Sequence, residues 1–142
     1  MEIKIAKNDN EINSCFETMS QLRPHIKKED FLAQVRRQEK YEYKLAFVED
    51  NNQVVAVAGF RFSECLAWGR IMYVDDLVTD ENHRSKGCGD KLVDWLMEYA
   101  KKNERGQFHL DSGVQRFLAH RFYFRKALTI SGYHFEVKLD GN

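Results

Sequence analysis

Polar and apolar residues alternate from Glu2 to Ala6, the period of a short strand. Asn8 or Asp9 then stands where a helix cap is needed. Ile12, Cys15, Phe16, Met19 and Leu22 follow at three- and four-residue spacing, one helical face, until Arg23-Pro24, the only proline, closes the segment. A second helix is expected from about Glu29, with Phe31, Leu32 and Val35 inward and Lys27, Lys28, Arg36, Arg37 and Lys40 on a solvated outer face. Three runs, Leu45–Glu49, Val54–Phe62 and Arg70–Thr79, are rich in β-branched, aromatic and alanine residues and are separated by short polar breaks. They read as successive antiparallel strands, the break Glu49–Gln53 being a turn by composition. From Gly89 to Asn103, Leu92, Val93, Leu96, Met97 and Ala100 make a strongly amphipathic helix. A short strand Gln107–Leu110, a helix from about Val114 to Lys126 and a last strand from about Thr129 to Leu139 complete the pattern.

The order β-α-α-β-β-β-α-β-α-β contains no repeat and no linker, so the expectation is one α/β (α+β) domain, residues 1–142, on a mixed central sheet. The composition agrees with a packed domain: 43% of residues are apolar and 13% aromatic. Lys+Arg and Asp+Glu both number 22, leaving no bulk positive field for a polyanion, which disfavours nucleic acid as the main partner. The longest apolar run, Val54–Phe60, is far short of the roughly 20 residues a membrane helix needs, and the acidic start at Glu2 is unlike a secretory signal. Cys15, Cys65 and Cys88 form no Cys-x-x-Cys pair and their odd number cannot close into disulfides. The expectation is reduced thiols in the cytoplasm.

The chemistry concentrates in the stretch from Asp76 to Gly89, a strand running through a polar turn into the strongest helix. Gly87 and Gly89 flank the helix start, where backbone N–H groups and the positive end of the helix dipole converge, a setting suited to a phosphate or pyrophosphate. Neither Gly-x-x-x-x-Gly-Lys-Ser/Thr nor Gly-x-Gly-x-x-Gly is present. What stands is Arg84-x-x-Gly87-x-Gly89. With it, and with Ala119-His120-Arg121-Phe122-Tyr123 on the fourth helix, the sequence resembles the GNAT superfamily of acetyl-CoA-dependent N-acetyltransferases, whose order of elements matches the one deduced above. The block Ala119–Tyr123 together with Tyr133-His134-Phe135 is further similar to small bacterial acetyltransferases of the aminoalkylphosphonate acetyltransferase type.

The resemblance implies a GNAT-like mixed sheet, acetyl-CoA as co-substrate and an amine acceptor. It implies that the backbone of Arg84, Ser85, Lys86, Gly87, Cys88 and Gly89 binds the pyrophosphate, with Leu77, Val78, Thr79, Asp90 and Tyr123 also touching the coenzyme; His120 either lines the acceptor or coenzyme channel or is a plain surface residue of its helix. An amine with a pKa of about 10 must lose a proton before attacking a thioester, so a base is required. Asp75 and Asp76 are the candidates. Strand alternation sends them to opposite faces, although a bulge that the resemblance implies at this point can shift that parity and free a backbone N–H near Leu77 or Val78 for the thioester oxygen. Glu64 and Asp111 are candidates for the rim, and the paired carboxylates are expected to favour a cationic acceptor. Tyr123 is the expected acid for the leaving thiolate.

Other residues carry blander readings. Cys88 lies in the phosphate turn and is not expected to be a nucleophile. His83 and His109 lack the partners that zinc requires, so no metal is expected. Arg116, Arg121, Arg125 and Lys126 form a basic helix side, either solvated or reaching the coenzyme's 3′-phosphate. The family's Gly-Phe after the fourth helix is Ala127-Leu128 here, with Gly132 a later place for the turn, and Arg116 stands where the family often has asparagine. A non-catalytic acyl-CoA sensor of the same fold is the alternative to an enzyme. Homodimerisation through the last strand is left open, with no residue marking it.

Overall fold

The computed structural model describes residues 1–141. By the density of their contacts these form two compact units, Met1–Leu110 and the residues from Asp111 onward.

The first unit carries a five-stranded sheet in the order β1 (Glu2–Ile5), β2 (Tyr43–Asp50), β3 (Gln53–Cys65), β4 (Gly69–Thr79) and β5 (Gln107–Leu110). Its first three pairings are antiparallel and β4–β5 is parallel, so the sheet is mixed as expected. The turn between β2 and β3 is made by Asn51 and Asn52 at φ 52° and 61°, the left-handed pair a two-residue hairpin needs and that asparagine tolerates.

Helices cover both faces. The first predicted helix forms as α1 (Asp9–Ser14) and α2 (Phe16–Leu22), separated at Cys15. Asn8 caps α1 in a reciprocal box with Glu11. With α3 (Lys28–Glu39) these pack Ile12, Cys15, Met19, Phe31 and Val35 against Leu45, Phe47 and Val57. On the other face α4 (Cys88–Lys102) buries Leu92, Leu96 and Ala100 against Val48, Val55, Phe60 and Met72. The alternation of β2 and β3 between these clusters explains why their sequences are apolar at consecutive positions: both faces are covered.

The second unit contains α5 (Phe117–Arg125) and, among the described residues after it, no further helix or strand. The strand expected at Thr129–Leu139 does not form: no described residue after Leu110 is in a strand, and Tyr133, Phe135, Val137 and Leu139 are exposed. The alternation is present, but a strand is a property of a pair, and alternation alone supplies no backbone partner. No helix among the described residues is long and apolar enough to cross a membrane.

Candidate active site

Two parts of the first unit hold most of the candidate site residues, and β4 leads into both. Beyond Thr79 the chain makes a 3-10 turn, Glu81–His83, then the bend from Arg84 to Gly87, and enters α4. Ser85 and Gly87 are left-handed at φ 70° and 79°, and Gly87 is the N-cap. It brings no side-chain acceptor to the first turn of α4, and a Cβ placed on it would meet nothing within 4 Å. A Cβ on Gly89 would stand 3.0 Å from Thr79 Oγ1, so the main chain here packs as closely to the strand end as glycine allows. An open, uncapped start of a fifteen-residue helix, beside the exposed Arg84 and Lys86, fits a diphosphate.

Asp80 holds this turn in place. Its side chain accepts from Gln21 Nε2 at 2.7 Å and from the Asn82 backbone at 3.2 Å, and its Oδ2 lies 2.7 Å from His83 Nδ1. Gln21 then accepts from the Glu81 N–H at 2.9 Å. The Gln21 and His83 contacts hold the Asp80 carboxyl below its ordinary pKa. His83 is thus a brace of the turn. Cys88 is buried within the α4 cluster, with its thiol 3.5 Å from Met1 Sδ, which is no setting for a nucleophile.

Upstream, β4 bulges. Gly59 of β3 pairs with Asp76 and its neighbour Phe60 with Val74, so Asp75 is the extra residue. The parity expected from simple alternation is therefore corrected: Asp75 and Asp76 do not point to opposite faces but line one cavity of about 360 Å3 between α2, α3 and the sheet. Met19, Ile26, Phe31 and Val35 supply its apolar wall and Gln34 and Gln38 its amides.

The carboxylates do not stand alone. Asp76 accepts at Oδ1 from Arg23 Nε at 2.9 Å and at Oδ2 from the Tyr43 hydroxyl at 2.7 Å. Asp75 Oδ2 accepts from Arg61 Nε at 3.0 Å and also from Arg61 Nη2, while Arg23 Nη2 donates to the Asp75 carbonyl at 2.9 Å. Burial pushes the Asp75 carboxyl above its ordinary value, with Arg61 working against the rise. Burial also drives the Tyr43 phenol well above 10, and the Asp76 charge adds to it. Two arginines answer two aspartates, so the joint negative field expected to attract a cationic acceptor is cancelled. Glu64 is corrected too: it pairs with Arg70 near the β3–β4 hairpin tip and does not line the cavity.

In the second unit, His120 Nε2 lies 2.8 Å from the Gly113 carbonyl oxygen, and Tyr123 is half-buried on α5 with its pKa raised by burial. Asp111 lies 3.4 Å from His134 Nδ1, and Arg125 sits over the Phe122 ring. The turn after α5 comes earlier than Gly132: Ala127 itself takes φ 66°, and the Leu128 N–H bonds back to the Tyr123 carbonyl at 3.0 Å. Among the described residues no group of three or more His, Cys, Asp or Glu is arranged to hold a metal ion.

Residues 7–128 match the model of the acetyltransferase (GNAT) family. This chain belongs to that family. Over 119 residues, 82% of its length, it is 35% identical to the uncharacterised N-acetyltransferase YhdJ of Bacillus subtilis, of which 84% is covered. Its fold is similar to that of a transcriptional regulator from Bacillus halodurans, with a TM-score of 0.83 and 19% identity across 97% of this chain and 100% of the other. It is equally similar to ribosomal-protein-alanine N-acetyltransferase from Brucella melitensis, with a TM-score of 0.83 and 13% identity across 98% and 100%. At these identities the structures establish the fold alone.

For a GNAT acetyltransferase, the residues missing from the sequence-based site are Arg23, Tyr43, Gly59 and Arg61. One signal was readable: a glycine inside an otherwise apolar strand marks a close approach, and Gly59 is where Tyr43 and Asp76 meet.

Proposed function

We propose that this GNAT chain is an N-acetyltransferase that moves an acetyl group from acetyl-CoA directly to a primary amine of a small molecule or peptide. The observation that carries the reading is the layout of one strand: β4 bulges to put carboxylates into a cavity, then runs on to a glycine turn at a helix start suited to a diphosphate. Both units belong to this one acetyltransferase domain, in keeping with a family match that runs from residue 7 to residue 128.

The coenzyme supplies an acetyl group already activated as a thioester. The backbone from Arg84 to Gly89 is assigned its pyrophosphate, and a backbone N–H near Leu77 or Val78, beyond the bulge, is assigned the thioester oxygen. The cavity, of small-molecule size, is assigned the acceptor. A carboxylate of the Asp75-Asp76 pair takes the ammonium proton. Tyr123 is assigned to the departing sulfur, supported by its Phe122-Tyr123 setting and by a burial-raised pKa that keeps the phenol protonated at neutral pH. Aminoalkylphosphonates are one class of acceptor to try, because of the similarity of Ala119–Tyr123 to that type of enzyme.

The test joins calorimetry with coenzyme A to release of its thiol on adding a panel of amines. Binding that weakens at least tenfold in Gly87→Val, with amine-dependent release, is expected. Binding without release across the panel would leave the chain an acyl-CoA sensor, and absence of binding would remove both readings.

A further inference from the structure

The two adjacent aspartates are bonded in different ways, and the difference assigns them different work. Both oxygens of Asp76 are committed, Oδ1 to Arg23 and Oδ2 to the buried Tyr43 hydroxyl. Asp75 places both of its contacts with Arg61 on Oδ2 alone, and its Oδ1 accepts no hydrogen bond from the described residues. Its side chain is also the more open of the two, 23% exposed against 13% for Asp76. We propose that Asp75, through Oδ1, is the catalytic base that receives the acceptor's proton, and that Asp76 with Tyr43 and Arg23 is a positioning clamp that holds the bulge.

This rests on the acetyltransferase reading above. Each carboxylate oxygen offers about two acceptor sites, so Asp76 has one taken on each oxygen and cannot turn to a new donor without breaking a bond to Arg23 or Tyr43, whereas Asp75 keeps the whole of Oδ1. A carboxylate anchored through a single oxygen keeps its orientation while the other oxygen remains open to a donor. Arg23 connects the two roles: its Nε holds Asp76 and its Nη2 holds the Asp75 carbonyl, so the peptide of the extra residue cannot turn away from the cavity.

The step balances as follows. The ammonium acceptor gives one proton to Asp75 Oδ1, which passes it to solvent. The free amine forms the carbon–nitrogen bond as the carbon–sulfur bond breaks, and the second nitrogen proton balances the one the sulfur takes up. The ionisable groups around Asp75 in the cavity are Arg61 from β3, Asp76 beside it, Arg23 and His25 from the segment ending and following α2, and Tyr43 from β2. α3 contributes only the neutral Gln34 and Gln38 and apolar side chains.

The experiment is the pH dependence of kcat/KM for D75N, D76N, Y43F and R61Q, with an amine that the wild-type enzyme acetylates and with coenzyme affinity measured on each protein. D75N is expected to lose kcat by about 10²- to 10⁴-fold and to lose the acidic limb of the profile, while still binding coenzyme A. D76N and Y43F are expected to keep that limb. R61Q, stripped of the contact that opposes the burial effect, is expected to move the limb to higher pH. Should D76N fail to fold, Y43F addresses the same clamp without changing a charge. An acidic limb that survives in D75N, or vanishes in D76N or Y43F, overturns the assignment while leaving the transferase reading intact. Absence of turnover in the wild type with every amine removes the transferase reading, and this assignment with it.

Discussion

The Tyr43 hydroxyl reaches Asp76 at 2.7 Å through the space that a side chain at residue 59 would occupy. A Cβ on Gly59 would stand 1.9 Å from the hydroxyl oxygen and 2.5 Å from Asp76 Oδ2. Gly59→Ala must therefore push Tyr43 off the carboxylate. The expected loss is about 1–3 kcal/mol from overpacking, plus a further ~1.5–3 kcal/mol for a broken hydrogen bond to a charged group. Tyr43→Phe loses only the second part. Urea denaturation of the two variants checks the order, and a Gly59→Ala protein no less stable than Tyr43→Phe contradicts it.

Gln21 and Arg23 stand two residues apart at the end of α2 and hold the two ends of the segment that joins the cavity to the glycine turn before α4. Arg23 holds Asp75 and Asp76, and Gln21 holds Asp80 and Glu81. Gln21→Ala is expected to weaken coenzyme A binding about tenfold in calorimetry, since one of the lost bonds is to a carboxylate. It also carries a pH signature. Asp80 is held below its ordinary value of 3.8, so the stability it contributes is present above that pH and is lost as the pH falls through the folded value. The gap in urea stability between wild type and Gln21→Ala should be constant from pH 7 to about pH 5 and narrow below pH 4. A gap that widens in acid rules out this source.

Local pattern and long-range bonding were not equally legible. The helical stripe of Ile12, Cys15 and Met19 follows from spacing, because it buries one face whose period is written in the chain, and the central strands follow from their unbroken apolar runs between polar breaks. The glycine turn could be read for the same reason: Gly87 and Gly89 announce backbone freedom where a helix begins. Arg23 and Arg61 could not, since an arginine after a helix and one in a strand look solvated until the fold brings them to carboxylates 53 and 14 residues away. The parity of Asp75 and Asp76 was only half legible: Gly59 marks an irregularity in the apolar strand, but a glycine on one strand does not say which residue of its partner is the extra one.

The three cysteines should separate by access. Cys15 is fully buried and burial pushes its thiol up to about 12, Cys88 is buried at the first turn of α4, and Cys65 is exposed at the end of β3. A thiolate reagent at pH 8 should titrate one equivalent in the native protein, and the remaining two only after unfolding. Rapid loss of a second equivalent without unfolding would place Cys88 outside the packing described for it.

Ala127 closes α5 in a left-handed conformation at φ 66°, with the Ala127 and Leu128 N–H groups bonded back to Phe124 and Tyr123. That position is the usual place of a glycine in a helix-ending motif, because a Cβ there crowds the backbone by ~1–2 kcal/mol. Glycine relieves the crowding and in return gains entropy in the unfolded chain, which offsets about 0.4–1 kcal/mol. Ala127→Gly is therefore expected to stabilise the protein by roughly 0.5–1 kcal/mol, read as a rise in the urea midpoint at unchanged slope. An equal loss of stability would mean that the helix does not end in this turn in solution. Because the substitution adds no side chain and leaves Phe122-Tyr123 in place, amine-dependent thiol release at 25 °C should stay within twofold of wild type. A larger fall would show that the exit of α5 helps to set the position of the Tyr123 phenol.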